Sequence, residues 1–135
     1  MTHLGITNID RIACGGVGAI ILESSFVRGD GKGFDHQLGL HTDDVILRQK
    51  QLAEVAHAPS VVIGPQIFHA GRQTKSKVTG SQPIASSPIP DPTTNEGPRA
   101  LRSEEIPKIV NVFAKAARRA VQAECDLVEI HGVRG

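Results

Sequence analysis

Side chains able to do chemistry gather at three places in this chain, each at the end of an apolar run. The first run leads into Glu23-Ser24-Ser25, the second into Gln66-Ile67-Phe68-His69-Ala70-Gly71-Arg72, and the third into Glu129-Ile130-His131-Gly132-Val133-Arg134-Gly135. Together they supply a carboxylate, an amide, imidazoles and guanidinium groups. Around one rim, such a set suits a polar ring or an anion. His131 is the strongest single candidate, because an imidazole at a strand end serves as acid, base or hydrogen-bond donor. The others have plainer readings. Glu23 pairs with a neighbouring Arg, Gln66 satisfies loop backbone, and His69 and Arg72 pin the loop that follows them.

Other chemistries are excluded. Gly29-Asp30-Gly31-Lys32-Gly33 lacks the GK[ST] of a P-loop and the GxGxxG of a dinucleotide fingerprint, and no helix follows it directly. The six histidines form neither HxxH nor HExxH, so no metal site is expected. Cys14 and Cys125 form no CxxC and are expected to be buried, reduced thiols. With four Phe and neither Trp nor Tyr, the chain has no platform for stacking bases and no Tyr to donate a proton. A net charge of +1 over 135 residues gives no field to hold nucleic acid. No apolar run approaches the roughly 18 residues of a membrane span. The N-terminus lacks the pattern of a signal peptide, so a cytoplasmic protein is expected.

The strand ends need a frame. The apolar run at residues 17–22 and its neighbours at 61–67 and 126–131 read as strands buried on both faces, as in parallel sheets. A short helix is expected over residues 7–13, capped by Thr7 or Asn8 and stopped by Gly15. A second runs over residues 43–57, with Thr42 as cap and Pro59 as stop. The strongest helical pattern covers residues 103–123, where Ile106, Ile109, Val110, Phe113, Ala117, Ala120 and Val121 recur at helical spacing. Residues 70–102 hold Pro83, Pro88, Pro90, Pro92 and Pro98 and read as one long loop, of the kind that serves as a lid over an active site. Alternating strands and helices give an α/β fold of parallel βα units, either doubly wound or a (β/α)8 barrel. In both, ligands bind at the C-terminal strand ends.

Those ends resemble a known family. Gly15-Gly16-Val17-Gly18-Ala19-Ile20-Ile21-Leu22-Glu23-Ser24 resembles the second strand of the old yellow enzyme family, the NADH:flavin oxidoreductases and NADH oxidases that include FMN-dependent ene reductases. Gln37-Leu38-Gly39-Leu40 with Asp43-Asp44 resembles its next loop and helix start, and Gln66-Ile67-Phe68-His69-Ala70-Gly71-Arg72 its third strand. Pro83-Ile84-Ala85-Ser86-Ser87-Pro88, Pro98-Arg99-Ala100-Leu101, Glu104-Glu105-Ile106, Ala116-Ala117-Arg118-Arg119-Ala120 and Val128-Glu129-Ile130-His131-Gly132 continue the likeness in order.

The resemblance implies a (β/α)8 barrel with FMN at its C-terminal rim. Hydride would pass from NADH or NADPH to the flavin and on to an activated alkene, an enone or enoyl compound. Gln66 matches the residue that hydrogen-bonds the flavin pyrimidine edge, and Ser24 the position whose backbone meets the isoalloxazine ring. His131 matches the first of a pair that holds the substrate carbonyl oxygen and lies near the flavin. Arg134 falls on the second, where the family usually has His or Asn, and points to an acidic or CoA-type substrate or to an eroded site. A barrel typically needs about 250 residues. The chain is therefore expected to be a partial (β/α)8 barrel of about three strands, an N-terminal-half fragment that is inactive alone. A small-molecule substrate is its expected partner, with a homo-oligomer or a complementing chain left open. Two alternatives stay open: a noncatalytic half-barrel remnant that folds only with a partner, and a complete small doubly wound domain that binds a nucleotide.

Overall fold

The computed structural model of the chain describes residues 3–133. Helix α1 (His3–Cys14) leads into strand β1 (Ala19–Phe26), and helix α2 (Ile46–His57) into strand β2 (Val62–Phe68). A short helix α3 (Ser76–Thr79) and two-residue strands β3 (Ile84–Ala85) and β4 (Arg99–Ala100) follow. Helix α4 (Ile106–Gln122) and strand β5 (Glu129–Ile130) complete the order. The main sheet runs β1-β2-β5 with both pairings parallel.

One face of this sheet is covered by helices. Ile20, Leu22 and Ile63 pack with Leu52, Ala53 and Ala56 of α2 and with Ala13 of α1. Ile67 packs with Ala116 and Ala120 of α4, and with Val27 and Leu40. Alanine at the α4 contact lets the helix lie close to β2. The buried side of α4 is therefore centred on Val112, Phe113, Ala116 and Ala120. Ile106, Val110 and Val121, expected on that side, are 51%, 62% and 70% exposed. They fall on the flank of the helix, which the sheet does not reach.

Four other expectations are corrected. Thr7 and Asn8 lie inside α1 rather than at its cap, because Ile6, Ile9 and Ala13 extend the apolar face and carry the helix back to His3. Strand β1 runs four residues past Leu22, because Ser25 and Phe26 find partners in Ile67 and Phe68. Strand β5 has two residues rather than six. Among the described residues it pairs on one side only, and the residue at its approach, Asp126, turns its carboxylate to the Ile63 N–H (2.9 Å) and to His57 (2.8 Å). The thiols are not buried as a pair. Cys14 is exposed at the end of α1, while Cys125 is half-buried beneath α4, where burial pushes its pKa up.

The long connection at residues 70–102 is more ordered than its composition indicates. Strands β3 and β4 pair in parallel, Ile84 with Arg99 and Ala85 with Ala100. Glu105, just before α4, receives both terminal nitrogens of Arg99 at 2.7 and 2.9 Å and the Arg102 N–H at 2.9 Å. That carboxylate joins the start of α4 to β4. Arg99, then the Arg102 backbone, holds the Glu105 pKa at about 2 against an ordinary 4.5.

Two tests follow from the packing. A Cβ built at Gly64 would stand 1.9 Å from the Leu127 carbonyl oxygen, so β5 reaches β2 only across a bare backbone. Gly64→Ala is expected to destabilise the chain by about 2–3 kcal/mol, measured as a lower urea midpoint. An unchanged midpoint would mean that this contact does not form. For Glu105, a lowered folded pKa means a contribution complete above about pH 4.5 and lost as pH falls toward about 2. The pair faces solvent, so the effect is modest and weakens with salt. Melting temperature should drop more steeply through that window in the wild-type chain than in Glu105→Gln, and parallel profiles would refute the linkage.

Candidate functional site

Parallel pairing sends the C-terminal ends of β1, β2 and β5 to one rim. Strand alternation then decides what that rim shows. Ile63 and Ile67 of β2 face the helices, so Gln66 between them faces the opposite side. Gln66 pairs in register with Glu129, and its Nε2 donates a hydrogen bond to the Glu129 Oε1. Glu129 did not stand out in the sequence. Its signal was an acidic residue in an otherwise apolar strand, two positions before His131.

The β1 end is built by an irregularity. Leu22 pairs with Pro65 and Ser25 with Ile67, so Glu23 and Ser24 together stand opposite Gln66. This bulge interrupts the ladder at the position where Ser24 meets the rim. Gln37 then fixes the bulge. Its buried side chain donates from Nε2 to the Ser24 carbonyl oxygen at 2.9 Å and to Ser24 Oγ at 3.3 Å, while its Oε1 accepts the Gly33 N–H at 2.7 Å. Ser24 and Gln66 are thereby held on neighbouring strands. Glu23 is exposed beside them.

His131 sits just past β5. Its backbone N–H donates to the Ile67 carbonyl oxygen at 3.0 Å, which keeps it in line with β2. Its ring lies 5.8 Å from the Phe68 ring, centroid to centroid, tilted by 45°. It also borders a cavity of about 220 Å³ shared with Ile84, Ala85, Leu101 and Ile109. The β3–β4 ladder thus forms one wall beside His131. Arg134 lies outside the described residues.

His69 and Arg72 serve the loops. The His69 ring packs flat on Gly31, where a Cβ would stand 2.3 Å from ring carbon Cδ2. Its Nδ1 accepts the Gly71 N–H at 3.1 Å, which places the proton on Nε2, 3.5 Å from Asp30 Oδ1. Asp30 in turn pairs with the Arg28 guanidinium. Burial raises the Asp30 pKa, but the hydrogen bonds from Arg28, with the His69 ring close by, outweigh it and hold the carboxyl well below the usual range. With Ala70 N–H donating to the Gly31 carbonyl oxygen at 2.9 Å and Thr74 Oγ1 to that of Lys32 at 2.6 Å, residues 28–33 are stapled to residues 69–74. Arg72 reaches only the Ile89 carbonyl oxygen, at 3.5 Å.

The rim therefore brings Ser24, Gln66 and His131 together and leaves His69 and Arg72 as loop anchors. An amide beside a backbone bulge, with an imidazole one strand away, can bind a planar heterocycle and a carbonyl compound side by side. A groove of about 650 Å³ lies instead along the outer edge of β1 against Ile9 and Ile12 of α1. Among the described residues no named strand covers that edge. Among the described residues no group of three His, Cys, Asp or Glu is placed to hold a metal ion, and no helix is long and apolar enough to cross a membrane.

Comparison with known proteins bears on the family and the fold. The chain is 43% identical over 125 residues to an NADH oxidase of Thermoanaerobacter brockii, covering 91% of this chain and 19% of that protein. It is 38% identical over 123 residues to an NADPH dehydrogenase of Geobacillus thermodenitrificans, covering 91% and 35%. Its fold matches morphinone reductase in complex with tetrahydroNAD, with a TM-score of 0.83 and 29% identity over 93% of this chain and 39% of that one. The chain thus spans less than two-fifths of these relatives, and its three parallel strands with their helices match part of a (β/α)8 barrel. The profile of the NADH:flavin oxidoreductase / NADH oxidase family matches residues 4–135, and the chain belongs to that family.

Proposed function

We propose that this chain forms part of an FMN-dependent oxidoreductase of the old yellow enzyme type, which passes hydride from NADH or NADPH through the flavin to an activated alkene. The observation that carries this reading is the meeting of Ser24, Gln66 and His131 at the C-terminal ends of adjacent parallel strands. The family supplies the flavin and the nicotinamide, and the morphinone reductase complex with tetrahydroNAD supports the latter. The donor set fits FMN. The pyrimidine edge of a flavin places an imide N–H between two carbonyl oxygens, and the Gln66 amide offers both an acceptor and a donor.

When bound, FMN supplies an atom, N5, that accepts hydride from the nicotinamide and delivers it to the alkene. The chain's own residues hold and polarise. Gln66 holds the pyrimidine edge, and the Ser24 backbone at the bulge meets the ring. His131 donates from a ring nitrogen to the substrate carbonyl oxygen, where it stabilises the enolate-like charge that grows as the β-carbon is reduced. Arg134 adds a permanent charge where relatives carry His or Asn, which favours an acidic or CoA-type substrate.

An NMR titration tests the cofactor assignment. FMN added to the 135-residue chain is expected to shift the Gln66 side-chain amide, the Ser24 backbone amide and the His131 ring. Gln66→Leu should weaken binding about tenfold. Shifts scattered away from these three residues would sink it.

A second reading, that of a noncatalytic half-barrel needing a partner, is favoured by one observation. Among the described residues β5 pairs with a strand on one side only, the outer edge of β1 carries a single bridge, Phe26 to Gly39, and Ile130 is 70% and Val133 80% exposed beside β5. A complementing chain or a second copy would cover these edges. Both readings expect no cyclohexenone-dependent NADPH oxidation from the chain by itself. Steady turnover by the purified chain would overturn that expectation.

A further inference from the structure

We infer that Glu129 is a positioning residue that fixes which way the Gln66 amide faces, and so makes the rim select a ligand with an imide N–H. The inference rests on the flavin reading of the rim and goes one step beyond it. A glutamine amide has two ends of nearly equal shape and opposite hydrogen-bonding sense, so its orientation is set by what it meets. Gln66 meets a carboxylate. Register pairing puts Glu129 directly across from it on the neighbouring parallel strand, and the Gln66 Nε2 donates to the Glu129 Oε1. A carboxylate only accepts, so the flipped amide would set oxygen against oxygen. Glu129 therefore binds one N–H of Gln66 and leaves Oε1 and the second N–H to face a ligand.

The backbone adds to this selection. Gln66 lies between Pro65 and Ile67, which pair with Leu22 and Ser25, and so stands opposite the bulge formed by Glu23 and Ser24. The strand position of the amide is thus set from both sides, by the bulge and by the β5 register, and Glu129 sets the remaining torsion. An outward Oε1 accepts from an imide N–H. A heterocycle whose imide nitrogen carries a methyl group offers it no proton.

The test compares FMN with N3-methyl-FMN on the full 135-residue chain, following the Gln66 side-chain amide by NMR. The wild-type chain should bind FMN about tenfold tighter than its N3-methyl analogue. In Glu129→Leu the amide turns freely, and the ratio should fall to about threefold or less. Glu129→Gln keeps the shape of the side chain while allowing either orientation of Gln66. It is expected to show the same fall, and it keeps the test open should the leucine variant not fold. A merely structural Glu129 would weaken both ligands alike and leave the ratio unmoved, and that result in both variants overturns the positioning role alone. If FMN shifts no rim residue of the wild-type chain, the flavin reading itself is overturned, and a flavin role for Glu129 with it.

Discussion

The rest of the structure depends on β2. It is the central strand of the main sheet, with β1 in parallel on one edge and β5 on the other. It is also the strand against which both helical layers pack, through Ile63 under α2 and Ile67 under α4. Each site residue takes its place from β2. Gln66 belongs to it, Ser24 stands across the bulge from it, and His131 is tied to its Ile67 carbonyl oxygen at 3.0 Å. The strand meets this demand with Gly64, which lets the Leu127 carbonyl come close, and with Pro65, whose missing N–H falls where the ladder with β1 breaks into the bulge after Leu22.

Around β2 the loops are held by charge and by small residues. Arg28, Asp30 and His69 form a relay from the β1 end to the β2 end, and Gly31 gives the imidazole room to lie flat. Arg99 and Glu105 perform the same service between β4 and the start of α4. The two ion pairs share a setting. The Arg28 and Asp30 side chains are 33% and 22% exposed, and those of Arg99 and Glu105 44% and 17%. Both act partly in water, where each contributes modestly and salt weakens it.

The sequence made the frame legible because buried parallel strands and amphipathic helices leave strong periods. The three strands, the helices α2 and α4 and the strand-end placement of Gln66 and His131 all came from such patterns or from the family likeness they carry. What stayed hidden lacks a period. Strands β3 and β4 are two residues each, too short to alternate, and their composition is that of a loop. The pairing of Gln66 with Glu129 depends on β5 register, which no local pattern fixes. Gln37 is buried for the sake of two backbone groups thirteen and four residues away, a contact that only the folded chain creates. Cys14 misled because cysteine is so often buried, while the end of α1 on which it lies faces outward.

The bulge at Glu23 and Ser24 also changes the parity of its strand. Before it, the even residues Ile20 and Leu22 point to the helices. Beyond it, Ser25 takes the helix-side partner Ile67, and Phe26 pairs with Phe68 on the other face. There the two rings pack with Ala70 beneath the loops. A β1 that kept every residue but paired without the bulge would set Phe26 across from His69, turn it to the helix side and remove the aromatic floor under the rim. One extra residue thus lets a single strand serve two hydrophobic layers of opposite sense.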